Sequence, residues 1–355
     1  MGLAAGMIER RGWDKWMNGR EQEPGQGRHG VTRRSLLAGG AAACFAAPHA
    51  RAADGRIRML TNWFAQAEHG GFYQALATGL YARAGLSVTI EPGGPQINNA
   101  QILAAGGTDF AITTDLGTLQ GVQRGLPNVV VATSFQFDPI GILVHDDVHD
   151  LAGLKNHRIL IANAQLPVVW ATLQRRYGLA PDQVAPYTFN LQPFFLDRNV
   201  AIQSYVTSEP FEVKRAGVPY NMLLLRDAGI PGYGNPIATT RAMLQASPDV
   251  VAAFLKASMQ GWRDYLVDPE PANRLIIAAN PRMDPARIAF AIEQIKALQL
   301  LTGGDAATGG IGTITEARWK RDDEFLVGLG MLDRATDWRQ GFDTRFIDAA
   351  RILPA

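Results

Sequence analysis

The sequence predicts an α/β protein of two lobes, with parallel-rich sheets covered by helices on both faces. Three observations carry that expectation. Strand-like and helix-like segments alternate from Ile57 onward, two short crossings set off a central block, and the chain after Thr240 turns almost wholly helical.

The elements follow in order. Ile57 and Met59 alternate into Thr61 as a strand. Phe72, Ala75, Leu76, Gly79 and Leu80 recur at helical spacing, and Gly85 stops that helix. Leu86, Val88 and Ile90 alternate as a half-buried strand. A helix over 98–105, a strand over 110–113, a helix from Asp115 and a strand over 129–134 complete a repeated β-α-β order, which argues for a parallel sheet. The strand over 140–144 enters a second unit, with strands over 158–162, 187–190, 204–207 and 222–225 and a helix over 168–177. Residues 229–236 are too rich in glycine and proline for regular structure. After a strand over 237–240 come helices over 248–267, 271–279, 285–299 and 314–329, several with proline in the first turn. The expected division is residues 53–139 plus 236–355 in one lobe and 140–235 inserted as the other. Crossings near 138–141 and 232–236 then form a two-strand hinge that permits closure over a ligand.

The chain of 355 residues is 47% hydrophobic and 19% charged, ordinary for a globular protein, with no basic block to suggest nucleic acid. Residues 1–52 are different. Arg33-Arg34 precede Ser35-Leu36-Leu37 and a soft apolar run to Ala47, and Ala50-Arg51-Ala52 fits the small-x-small pattern of signal peptidase. This segment resembles a twin-arginine export signal, and it implies a periplasmic protein. The apolar run is shorter than the roughly 20 residues a bilayer span needs. Met17 stands as an alternative start to Met1.

Eight of the 34 basic and four of the 33 acidic side chains lie in residues 1–52, so the remainder carries 26 and 29 and is slightly acidic. The single cysteine, Cys44, also lies there. Cleavage after Ala52 leaves no thiol, which excludes disulfides, thiolate catalysis and cysteine-ligated metal in the mature chain.

Residues 60–75, Leu60-Thr61-Asn62-Trp63-Phe64-Ala65-Gln66-Ala67-Glu68-His69-Gly70-Gly71-Phe72-Tyr73-Gln74-Ala75, resemble the substrate-binding family related to the fungal thiamine-pyrimidine synthase. Pro92-Gly93-Gly94-Pro95, Leu103-Ala104-Ala105-Gly106, Asp109-Phe110, Thr207-Ser208-Glu209-Pro210-Phe211, Thr302-Gly303-Gly304-Asp305-Ala306 and Trp319 add to the likeness. The resemblance implies a type II periplasmic binding protein fold and a membrane partner, the permease and ATPase of an ABC importer. It implies ligands such as thiamine-pyrimidine precursors, riboflavin or, in distant branches, sulfonates and nitrate. The synthase branch uses a cysteine-rich motif, and a mature chain without cysteine departs from it. The expectation is a monomeric binding protein, not an enzyme, with no cofactor.

Ligands of such sheets sit outside the carboxyl ends of the strands. Eight candidates lie there. Asn62 and Trp63 leave the first strand, with Trp63 as a stacking face. His69 precedes the Phe72 helix as a donor, and Asp115 starts the next helix as a cap or as a ligand acceptor. A carboxylate there disfavours an anion at the helix start. In the inserted lobe, Asn163 and Trp170 follow one strand, and Tyr205 and Glu209 flank another. Glu209 is read either as a cap or as an acceptor for a ring N–H or amino group. Tyr187 and Phe137 are weaker candidates. Gly303-Gly304 and Gly309-Gly310 lack the lysine of a phosphate loop, and His145 and His149 read as surface residues.

Overall fold

The structure, a computed structural model, describes residues 56–163 and 165–355. The export-signal reading of residues 1–52 lies outside them.

Two five-stranded sheets form among the described residues. The strands are β1 (Arg56–Leu60), β2 (Ser87–Glu91), β3 (Phe110–Ile112), β4 (Asn128–Phe135), β5 (Ile140–His145), β6 (Arg158–Ile161), β7 (Val184–Pro186), β8 (Val200–Tyr205), β9 (Tyr220–Leu224) and β10 (Gly234–Thr240). The first sheet has the order β2-β1-β3-β10-β4 and the second β7-β6-β8-β5-β9. The sheets are mixed. β10 runs antiparallel to β3 and β4, and β5 runs antiparallel to β8 and β9, while the other pairs are parallel. Both antiparallel strands are continuous with a crossing between the sheets: β4 leads into β5 through residues 136–139, and β9 returns to β10 through 225–233.

Each sheet has its own apolar core. In the first, the helix Gly70–Ala77 lies against the helix Pro248–Val267 at backbone distance. A Cβ on Gly71 would fall 2.1 Å from the Trp262 ring, and one on Gly261 would fall 2.2 Å from the Gly71 carbonyl. Trp262, Phe72, Phe135 and Tyr265 surround this seam edge to face. No helix of the described residues is long and apolar enough to cross a membrane.

Several expected elements shift. The strand expected over 187–190 is instead β7, three residues earlier, and Phe189 sits in a loop at φ 61°. The helix expected over 168–177 begins with a π-helical turn at Leu166–Trp170. Gly234, Asn235 and Pro236, expected to be irregular, are the start of β10. Gly234 fits there because a side chain would meet the Phe137 carbonyl. His145 is buried, not a surface residue: its ring stacks on Phe194 at 4.2 Å and its Nε2 lies 2.9 Å from the Phe194 carbonyl. His149 is exposed.

Candidate ligand-binding cleft

The carboxyl ends of β1, β3 and β4 face those of β7 and β8. The contacts between them are specific. Trp63, after β1, lies 5.0 Å from Phe189, after β7, with the rings tilted by 55°. Phe189 in turn lies 5.2 Å from Tyr187, and Phe64 meets Trp63 edge-on. The Thr207 hydroxyl, after β8, donates to the Glu68 carboxylate, which belongs to the turn of 3-10 helix Ala67–His69 ahead of the Gly70–Ala77 helix. Arg287, on the helix Pro285–Ala297, donates to the Ser208 hydroxyl. Aromatic rings and a carboxylate therefore meet where the two sheets approach each other.

Asn62 holds the centre of the first rim. Its Nδ2 donates to Asn235 Oδ1 at 3.0 Å, so its Oδ1 is the acceptor toward His69 Nε2 at 2.9 Å. That fixes the histidine tautomer with the proton on Nε2. Asn235 Nδ2 then donates to the Glu68 carbonyl at 3.2 Å. His69 is fully buried, and burial alone lowers its pKa to about 3, so it is neutral. It lies under Asn62, and its Nε2 donor is taken up by the Asn62 Oδ1.

Asp115 also differs from expectation. The helix Asp115–Gln123 is capped by Thr114, whose hydroxyl accepts from Gly117 N at 3.0 Å. The Asp115 side chain turns inward and is 3% exposed. It accepts from Tyr233 N at 2.5 Å and Leu116 N at 2.8 Å, and it shares a hydrogen bond with Asp322. Burial raises both carboxyls, and their contact requires a proton between them. Asp115 therefore anchors the crossing at Tyr233, and its carboxylate is turned inward. Gly232, at φ 128°, leaves room for it: a Cβ there would stand 3.3 Å from both carboxylate oxygens.

In the second sheet, Glu209 opens the helix Glu209–Arg215 and its carboxylate turns back onto β8. It accepts from Tyr205 N at 3.0 Å, Ser204 Oγ at 3.2 Å and Tyr187 Oη at 3.4 Å. Glu209 does not cap its own helix. A carboxylate offers about four acceptor positions, so this one stays oriented with capacity to spare. The half-buried Tyr205 hydrogen-bonds Asp138, in the first crossing, and burial holds its phenol neutral. Asn163 is exposed on the turn after β6. Trp170 is half-buried against the apolar core of the second sheet. Neither joins the network of Asn62, Glu68, Asn235, Tyr205 and Glu209.

Sequence reading missed Glu68, Asn235, Phe189, Asp138 and Arg287. Among the described residues no cluster of histidine, cysteine, aspartate or glutamate could hold a metal ion.

A family model described as NMT1/THI5 like matches residues 66–272, more than half of the chain. The chain is 24% identical over 311 residues to a riboflavin-binding protein, RibY, of Chloroflexus aurantiacus, covering 85% of this chain and 88% of that one. It is 22% identical over 231 residues to a formylaminopyrimidine-binding protein of Halalkalibacterium halodurans, covering 62% and 69%. In fold it matches the periplasmic aliphatic sulphonate binding protein SsuA of Escherichia coli, with a TM-score of 0.60 at 15% identity over 81% of this chain and 91% of that one.

Proposed function

The chain belongs to the NMT1/THI5-like family, and on that premise we propose that it is the solute-binding component of an ABC importer. It works in the periplasm as a monomer and hands a small flat heterocycle with N–H donors, of the thiamine-pyrimidine precursor type, to a permease and its ATPase. Residues 140–233, which end where β10 of the first sheet begins, form the lobe that closes on the rest.

One observation carries the ligand class. The Trp63, Phe189 and Tyr187 rings pack in a row between the two sheets, beside the carboxylates of Glu68 and Glu209 and close to Arg287. An aromatic face favours a flat ring, and anionic acceptors form the stronger hydrogen bonds with amino and ring N–H groups. A sulfonate would meet two carboxylates, so the shared fold with a sulfonate-binding protein does not carry over to ligand chemistry. The formylaminopyrimidine-binding relative supports a pyrimidine. Riboflavin is the second reading, supported by the longer match to RibY. Enzyme chemistry of the synthase type is disfavoured because the chain after residue 52 contains no thiol.

The test is calorimetry on the mature protein with an aminopyrimidine, repeated for Trp63→Ala and Glu209→Ala. Losing the partner of a buried polar group costs about 1–3 kcal/mol, so Glu209→Ala should weaken binding about tenfold or more. Affinity unchanged in both variants refutes the site.

A further inference from the structure

The helix Glu209–Arg215 belongs to the second sheet, where Val213 enters the apolar core. The helix Pro285–Ala297 belongs to the first, where Ile288, Ala291, Ile292 and Ile295 do the same. Each helix also turns a second stripe toward the other. Phe211, Lys214 and Arg215 recur at i, i+3 and i+4, and Ala286, Ala289, Phe290 and Glu293 at i, i+3, i+4 and i+7. The two stripes line one cavity of about 530 Å³.

Contacts cross this seam at several points. The Phe211 and Phe290 ring centroids lie 5.7 Å apart with the rings tilted by 50°, and Lys214 Nζ stands 5.7 Å from the Phe290 centroid. The Arg215 guanidinium lies 5.4 Å from the Phe211 ring, pairs with Glu212 on its own helix and reaches Asp284 at 3.4 Å. Arg287 donates to the Ser208 hydroxyl. Phe290 is 8% exposed although it lies outside the apolar cores of both sheets.

This is not the packing of a permanent interface. The cavity interrupts the apolar layer between the helices, and the Arg215–Asp284 pair is exposed on both sides, where water and salt screen it. Each contact has one partner on either lobe, so the seam stabilises the closed form and contributes nothing to an open one. It also bears on the site, since Glu209 opens the helix that carries Phe211.

Resting on the two-lobed reading given above, we propose that the seam between these two helices is a clasp outside the ligand cleft, which raises the closed population of the ligand-free protein and so sets ligand affinity. Ligand binds the closed form, and its apparent dissociation constant rises as the closed fraction falls. Phe211 and Phe290 therefore tune binding through the lobe equilibrium.

The experiment places spin labels at Ala216→Cys and Lys296→Cys, exposed positions at the ends of the two helices. The chain after residue 52 has no cysteine of its own, so only these two sites are labelled. Distances are read in the ligand-free protein for the labelled parent, Phe290→Ala and Phe211→Ala, with circular dichroism to confirm that each is folded. The parent should show a short-distance population that either substitution lowers about threefold or more. The double variant should lose little beyond the single ones, because all three break the same ring pair. Affinity for an aminopyrimidine should fall by the same factor. Distances unchanged in both variants overturn the clasp and leave the cleft reading standing. A parent that does not bind the aminopyrimidine overturns the cleft reading, and the ligand-free distances still decide the clasp.

Discussion

Asp138 lies in the crossing from β4 to β5, and replacing it with asparagine should change how stability depends on pH. Its Oδ1 is buried without a hydrogen-bond partner. Burial is the largest cause of a pKa raised from 3.8 to about 7; the nearby Asp115 adds to the rise, while hydrogen bonds from Tyr205 and the Ile140 backbone oppose it. A carboxyl raised in the folded state holds a proton that the unfolded chain releases. Its stability contribution is therefore full below about pH 4 and is lost as pH rises toward about 7. A gap of about 3 units corresponds to about 4 kcal/mol at most. The buried Asp115–Asp322 pair, also raised, acts in the same direction. Fully buried His69 acts in the opposite one: with its pKa lowered to about 3, its contribution is full above 6.5 and is lost as pH falls below that value. The two effects oppose each other between about pH 4 and 6.5, and above that the carboxyls act alone. Urea unfolding at about pH 5, 6, 7 and 8 measures the outcome. Wild type should lose stability from pH 6.5 upward. Asp138→Asn should gain on wild type by about 3 kcal/mol between about pH 5 and 8, and His69→Gln should lift the acid limb. Parallel curves for wild type and Asp138→Asn would refute the assignment.

Two further outcomes follow. Gly71→Ala drives a methyl into the Trp262 ring, and overpacking of this kind costs about 1–3 kcal/mol, read as a lower thermal midpoint with the cleft network unchanged. Lysine at both Arg33 and Arg34 should leave the precursor in the cytoplasm, checked by fractionation; full export of that variant would disprove the twin-arginine route.

Much of the fold was legible because its signals are local. The helix Pro248–Val267 begins at a proline and carries a clear apolar stripe, and it matches expectation at both ends. Strand direction was not legible. β4 and β5 are buried along their whole length, so neither shows the alternation that marks a one-sided strand. β7 was displaced because it is three residues long and ends in Pro186. In the cleft, Trp63 and Glu209 could be picked out by residue type at a strand end. Glu68 and Asn235 could not, because their roles depend on partners 139 and 167 residues away. Asp115 misled for a related reason. Its sequence position suits a cap, yet Thr114 one residue earlier takes that role and leaves Asp115 to grip Tyr233, 118 residues on.

On the proposed reading the cleft selects flat N–H donors and rejects anions. Calorimetric titration of the mature wild-type protein with an aminopyrimidine, riboflavin and taurine tests it most directly. The aminopyrimidine, or riboflavin on the second reading, should bind saturably, and taurine should give no measurable heat. Tight taurine binding with no response to either heterocycle would contradict it.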